Sequence, residues 1–365
     1  MSGRIVVFGA TGYTGENVAR ELVARGARPV LAARNAERLE RLADELGDLE
    51  TETADVSRPA SVADLVESGD VLVSTVGPFT RWGRPAVHAA VDRGAWYLDS
   101  TGEPGFIRTV FEEFGPRAAD AGIGLVTAFG FDWVPGNLAG ALALEEAGPN
   151  AVTVDIGYFM RGAGMSGGTR ASMVQAAVQP GFGFRGGRLR TERMGARVTE
   201  FMLRNGKQRS GVSVGGSEHF GLPALHPTLC DVNVVLGQAL PMMSAVPAAT
   251  GALNLALKVP GARTLAEAVA RRAVKGSTGG PSAEGRAQGS CSVVAEARSA
   301  QGDLLHSVQL DGPDGYDFTF RILAWGAMTA AEQGLAGTGA LGPVSAFGLE
   351  QLVDGAASAG LSPVE

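Results

Sequence analysis

The chain has 365 residues, too many for one small domain, so two packed domains are expected. With 45% hydrophobic and 19% charged residues it can bury a sizeable core, which excludes global disorder. A formal net charge of −7 argues against nucleic acid as the partner, and two distant cysteines, Cys230 and Cys291, suit a reducing cytoplasm without disulfides or zinc.

Ile5–Phe8 is an apolar run close behind Met1, without the long core and cleavage site of a signal peptide. To about residue 130, short apolar runs alternate with helix-period segments, the mark of a parallel α/β sheet. Pro29–Ala33, Glu50–Ala54, Val71–Thr75, Ala95–Leu98 and Ile123–Thr127 are the further expected strands. Asn35 is the expected cap of a helix with Leu39, Leu42 and Leu46 on one face, and Ser61 the expected cap of the next. Six strands with right-handed crossovers make residues 1–136 a Rossmann doubly wound parallel sheet.

Beyond Asn137 the rhythm changes. Val152–Phe159 reads as a strand, Thr169–Gln179 as a helix, and Ser290–Ala297 with Leu304–Leu310 as a hairpin. Residues 137–320 are expected to be an α+β domain with an antiparallel sheet, for substrate or dimerisation. The segment 321–365 is expected to be helical and to return to the first domain. Gly276–Ser290, rich in Gly and Ser, is a candidate lid. Val232–Leu257 carries no charge and is long enough to span a bilayer. Gly237, Pro241, Pro247 and Gly251 break it, so it reads as core or as the wall of a lipophilic pocket.

The chemistry-bearing motifs follow the strands. Gly9-Ala-Thr-Gly12-Tyr-Thr-Gly15 sits between strand one and a helix, where glycines let backbone N–H groups approach a pyrophosphate. Arg34, beside Asn35 at the end of strand two, replaces the acid that grips ribose hydroxyls in NAD-binding proteins and suits a 2′-phosphate, favouring NADPH over NADH. Asp55-Val56 is placed to contact adenine or is a plain loop acid. Thr75-Val76-Gly77-Pro78-Phe79, after strand four, lies at the switch-point crevice of the nicotinamide. Thr101 and Gly102 follow strand five on the same face. Asp99 and Asp132 read equally as loop ties and as catalytic acids. Trp82, Phe131 and Trp133 add an apolar wall. The first lysine is Lys207, which removes a Tyr-x-x-x-Lys relay from the Rossmann half, and the four histidines have no metal spacing.

GATGYTG, GPF, YLDSTGE and FGFDWVPGNLAG, in this order, resemble the saccharopine dehydrogenase-like oxidoreductases, which include trans-acting enoyl reductases. Met165–Ser172 and Gly312–Tyr316 also look like that family's second-domain patterns. The resemblance implies cofactor contacts at Gly9, Thr11, Gly12, Tyr13, Thr14, Gly15 and Gly77 to Phe79, and a substrate site shaped by the second domain. Trp133 departs from the small polar residue relatives often carry there, so their substrate is not carried over. Gly168, Thr169 and Ser172 are expected near the substrate's polar end.

The resulting expectation is a cytoplasmic NADPH-dependent reductase, delivering hydride to an activated C=C, C=O or C=N bond. Its substrate would be bulky, lipophilic or carrier-bound, of the kind used in secondary metabolism. No nucleic acid, membrane span or metal is expected, and a homodimer is left open. The alternative is a non-catalytic NADP-binding regulator or scaffold. The basic run Arg185 to Arg209 reads as a carrier-docking surface or a solvated face.

Overall fold

The computed structural model describes residues 3–162, 164, 166–167, 181–237, 246–256 and 279–364. The first six apolar runs become β1 (Ile5–Phe8), β2 (Val30–Ala33), β3 (Thr51–Thr53), β4 (Val71–Ser74), β5 (Trp96–Asp99) and β6 (Gly124–Val126). β1, β2 and β4 are buried at every position, because parallel strands are covered by helices on both faces. β1 has the expected bounds, and the ends of the other five strands differ from the expected ones by at most one residue, where pairing rather than hydrophobicity decides.

Asn35 caps the helix Ala36–Glu45, its side chain accepting from Arg38 N at 2.8 Å. Ser61 does not cap the next helix, which runs from Pro59 to Ala63 with Arg58 at the N-cap. Proline fits the first helical turn, where its missing N–H leaves no bond unmade. The Ser61 hydroxyl instead donates to the Arg58 carbonyl at 2.7 Å.

The second domain contributes β7 (Thr153–Arg161), β8 (Gly181–Arg185), β9 (Arg188–Glu192), β10 (Val198–Met202), β11 (Gln208–Ser213), β12 (Asp231–Gly237), β13 (Ser290–Arg298) and β14 (Leu304–Pro313). The chain closes with β15 (Gly339–Ala340) and β16 (Ser362–Pro363). One sheet has the order β15-β6-β5-β4-β1-β2-β3 and is parallel throughout. The other runs β10-β11-β12-β7-β13-β14-β16, with β8 and β9 attached at β12. It is mixed, since β12 pairs parallel with β7 and the remaining pairs are antiparallel.

Helix Val134–Ala147 joins the layers. It is buried from Val134 to Ala141 and packs on β7, β13 and β14, as a helix that is apolar all round must. Helix Gly315–Gln333 packs against Tyr13–Ala24 and over β4 and β5. The uncharged stretch from Val232 supplies β12, an interior strand, and then helix Val246–Ala256, with 238–245 and 257 outside the described residues. Among the described residues no helix is long and apolar enough to cross a membrane.

Candidate functional site

The glycine loop is shaped by the backbone. Gly9 sits at φ +94°, a conformation that favours glycine, and its carbonyl accepts from Gly12 N at 2.9 Å. A Cβ on Gly15 would lie 2.3 Å from that same carbonyl, so only glycine lets the helix close on the loop. The Thr75 hydroxyl, 3.2 and 3.3 Å from the carbonyls of Phe8 and Gly9, ties β4 beneath the turn. Val76 packs close to Gly9. Helix Tyr13–Ala24 has no side-chain cap at Gly12, so its first amides remain available to an anion, with Thr11 and Thr14 beside them.

Tyr13 is held from the other domain. Its hydroxyl donates to the Pro281 carbonyl at 2.8 Å and accepts from Arg286 Nη1 at 3.0 Å, and its ring meets Tyr316 and Phe320 edge-on. Arg286 is anchored by Asp317 at 2.6 Å. The described part of the Gly/Ser-rich candidate lid therefore rests on the glycine loop.

At the adenosine end Arg34 is exposed, as the reading of a 2′-phosphate ligand requires. The Asn35 side chain is engaged in its cap. Hydrogen bonds from Ser57 hold the Asp55 carboxyl below its ordinary range, and the charges of Arg34 and Arg58 add to this. Val56 packs on the core below β3. Two cations that the sequence did not single out join Arg34. Arg58 is near the same carboxylate, and Arg38 donates to the Thr11 carbonyl at 2.9 Å. Their one signal was an arginine in the first turn after each of two strand ends.

In the crevice, the Gly77-Pro78 bond is cis and Phe79 turns inward against Phe106. The turn is gripped by Glu103, 2% exposed, which accepts from Phe79 N at 2.8 Å, Thr80 N at 2.9 Å and Thr80 Oγ1 at 2.6 Å. Glu103 closes the YLDSTGE motif yet was not among the expected site residues. Thr101 supports it, accepting from Glu103 N at 3.1 Å. A Cβ on Gly102 would fall 2.6 Å from Asp132 Oδ2, so the loops after β5 and β6 meet at this glycine.

The two acids differ in surroundings. Asp99 is fully buried and accepts from Thr101 N and Ala128 N, each at 2.9 Å, and from the Thr127 hydroxyl at 2.8 Å. That is a tie between loops. Burial pushes its carboxyl up to about 6 against these bonds. Asp132 is half-buried, faces Gly102, and is likewise raised to about 6 by burial. Trp82 is half-buried under the Arg81 guanidinium, 4.2 Å from its ring centre. Phe131 and Trp133 instead pack in the core, both edge-on to Tyr158. As they stand they support the crevice floor rather than face it. Gly168, Thr169 and Ser172 lie outside the described residues. The preceding Gly167 donates to the Gly279 carbonyl at 3.1 Å.

Among the described residues no group of His, Cys, Asp and Glu is arranged to hold a metal. His88 leans edge-on against Phe114 beside Arg117, on the sheet's helical flank.

Residues 5–126 match the family described as saccharopine dehydrogenase NADP binding domain. A Mycobacterium tuberculosis protein named as a trans-acting enoyl reductase is 40% identical over 182 residues, 47% of this chain and 43% of that protein. A trans-acting enoyl reductase of Mycobacterium ulcerans is 39% identical over 140 residues, 37% of this chain and 34% of its own. These matches span less than half of each relative's length. The apo saccharopine dehydrogenase (L-Glu forming) of Saccharomyces cerevisiae superposes over 96% of both chains with a TM-score of 0.59 at 13% identity, so the fold is shared.

Proposed function

We propose that this chain, whose residues 5–126 belong to the saccharopine dehydrogenase NADP-binding family, is an NADPH-dependent reductase of an activated double bond in a lipophilic or carrier-bound substrate. The observation that carries this reading is the meeting of three loops at the carboxyl end of the parallel sheet. Gly77–Thr80 is locked by Glu103, Gly102 adjoins Asp132, and the uncapped helix at Gly12 lies across the same edge.

NADPH supplies the hydride when bound. The chain supplies position. The amides after Gly12 take the diphosphate, Arg34 with Arg38 and Arg58 takes the 2′-phosphate, and the Gly77–Phe79 turn seats the nicotinamide end. Reduction of a conjugated C=C also needs a proton. Asp132, half-buried and raised to about 6, is the acid of the crevice suited to hold one, whereas Asp99 is committed to the loops. The enoyl reductases among the relatives favour a C=C bond.

The test is NADPH consumption with 2-enoyl thioesters of coenzyme A, bulky ketones and imines. An enoyl thioester should be reduced, and Asp132→Asn should lower turnover while NADPH affinity holds. Tight NADPH binding without consumption across all three classes would favour the regulator instead.

A further inference from the structure

Two polar side chains of the second domain meet behind the crevice turn. Tyr158 comes from β7, and Glu218 opens the helix Glu218–Leu225; both are 0% exposed. The Tyr158 oxygen is 2.6 Å from Glu218 Oε1, 2.7 Å from Gly136 N and 3.3 Å from the Trp133 carbonyl. Trp133 and Gly136 begin helix Val134–Ala147, which has no side-chain cap of its own. The tyrosine hydroxyl stands in for that cap. Glycines make the meeting feasible. A Cβ on Gly136 would fall 2.3 Å from the Tyr158 oxygen, and one on Gly216 would fall 2.2 Å from Glu218 Oε2.

The hydrogens decide how this cluster works. A tyrosine hydroxyl has one hydrogen to donate, and the Trp133 carbonyl can only accept. If Glu218 is ionised, Tyr158 must give its hydrogen to the carboxylate and the carbonyl loses it. If Glu218 is protonated, it can donate to the Tyr158 oxygen, and Tyr158 then donates to Trp133. Burial favours the second arrangement. Glu218 Oε2 has no hydrogen-bond partner among the described residues, so a charge there would be costly. The carboxyl is accordingly raised to about 8, by burial first. Tyr158 from β7 and Asp132 from the loop after β6 are the titratable groups acting on it. His219, next in its helix, turns to Gly216 and Phe182.

We propose that Tyr158 and Glu218 are positioning residues for Asp132: protonated Glu218 donates to Tyr158, whose hydroxyl then holds the Asp132–Trp133 turn, and loss of the Glu218 proton withdraws that bond. The proposal rests on Asp132 being the crevice acid.

The first test needs no substrate. Carboxyl-labelled full-length protein is titrated by carbon-13 NMR, with E218Q assigning the Glu218 signal. Its midpoint should be about 8, fall in D132N, which removes a like charge, and rise in Y158F, which removes a bond to the carboxylate. A midpoint in the ordinary carboxylate range near ~4.3, or no response to D132N, overturns the coupling. The second test follows NADPH consumption against pH, with a 2-enoyl thioester of coenzyme A as probe. Both proteins should lose rate as Asp132 gives up its proton above about 6, and wild type should show a further break at about 8 that E218Q, whose amide donates to Tyr158 at every pH, lacks. The same second break at about 8 in E218Q overturns the positioning role. Should no thioester be reduced, it is the proposed reaction that fails, and the titration still decides the pair.

Discussion

Removing the Glu103 carboxylate should loosen the nicotinamide end of the crevice and spare the adenosine end. Among the described residues three donors converge on it, the amides of Phe79 and Thr80 and the Thr80 hydroxyl, at 2.6 to 2.9 Å in a nearly dry setting. A hydrogen bond to a charged acceptor contributes about 1.5–3 kcal/mol, and an orphaned buried amide costs a similar amount. In Glu103→Gln one arm of the fork still accepts while the other presents an NH₂ to an N–H, so about 1.5–3 kcal/mol should be lost. In Glu103→Ala both amides are orphaned and the loss should approach about 3–6 kcal/mol. Urea unfolding measures these values, and calorimetry divides them between the two ends of the cofactor. NADPH affinity should fall about tenfold in E103Q, equivalent to about 1.4 kcal/mol. The nicotinamide-free fragment 2′-phospho-ADP-ribose should bind within about twofold of wild type. Equal weakening of both ligands would refute the assignment of Glu103 to the nicotinamide end. So would an E103A stability within about 1 kcal/mol of wild type.

Arg34→Ala should weaken NADPH binding about tenfold to a hundredfold and leave NADH nearly unchanged, since a charge-assisted bond to the 2′-phosphate is worth about 1.5–3 kcal/mol. Equal dissociation constants for the two cofactors in wild type would end that reading. Arg188 and Arg190 are exposed on β9, so reversing both charges should raise KM for a carrier-bound substrate and not for its free thioester. An identical KM change for both forms would reduce the strand to a solvated face. Stability should also fall with rising pH through Glu218. Its folded midpoint, about 8, lies above the unfolded one, so the native state holds the extra proton between about 4.5 and 8. The stabilisation is full below that window and is lost across it, by at most about 1.4 kcal/mol per pH unit. Urea titrations of wild type and E218Q should diverge in this window, and parallel curves would count against the raised midpoint.

The parallel sheet and glycine loop were legible because they depend on local rules. Ile5–Phe8 and Val71–Ser74 are continuous apolar runs, and Gly9 and Gly15 stand where the backbone admits nothing larger. Contacts between distant segments were not legible. Tyr158 and Glu218 are 60 positions apart, and neither residue carries a local mark of the other. Phe131 and Trp133 follow the sixth strand and looked like crevice walls, but an aromatic residue in a loop has no period to say which way it turns. Val232–Leu257 shows the same limit. Lack of charge signalled burial, which holds for β12 but not for helix Val246–Ala256, where Ala248, Ala249 and Ala252 are exposed and Leu255 is 68% exposed. The strand itself was set by pairing with β7 and β11.

The pairing of β15 with β6 has a consequence for synthesis on the ribosome. Gly339 and Ala340 complete the edge of the parallel sheet, yet they follow β6 by roughly 200 residues. At about 5–20 residues per second, the β6 edge emerges some ~10–40 s before its neighbour is made. During that interval an apolar strand edge stands open to other nascent chains, the condition under which strands pair wrongly. The helix Gly315–Gln333, which covers β4 and β5, arrives only shortly before. Expression yield should therefore depend on elongation speed and chaperone supply more than the finished protein's stability would suggest.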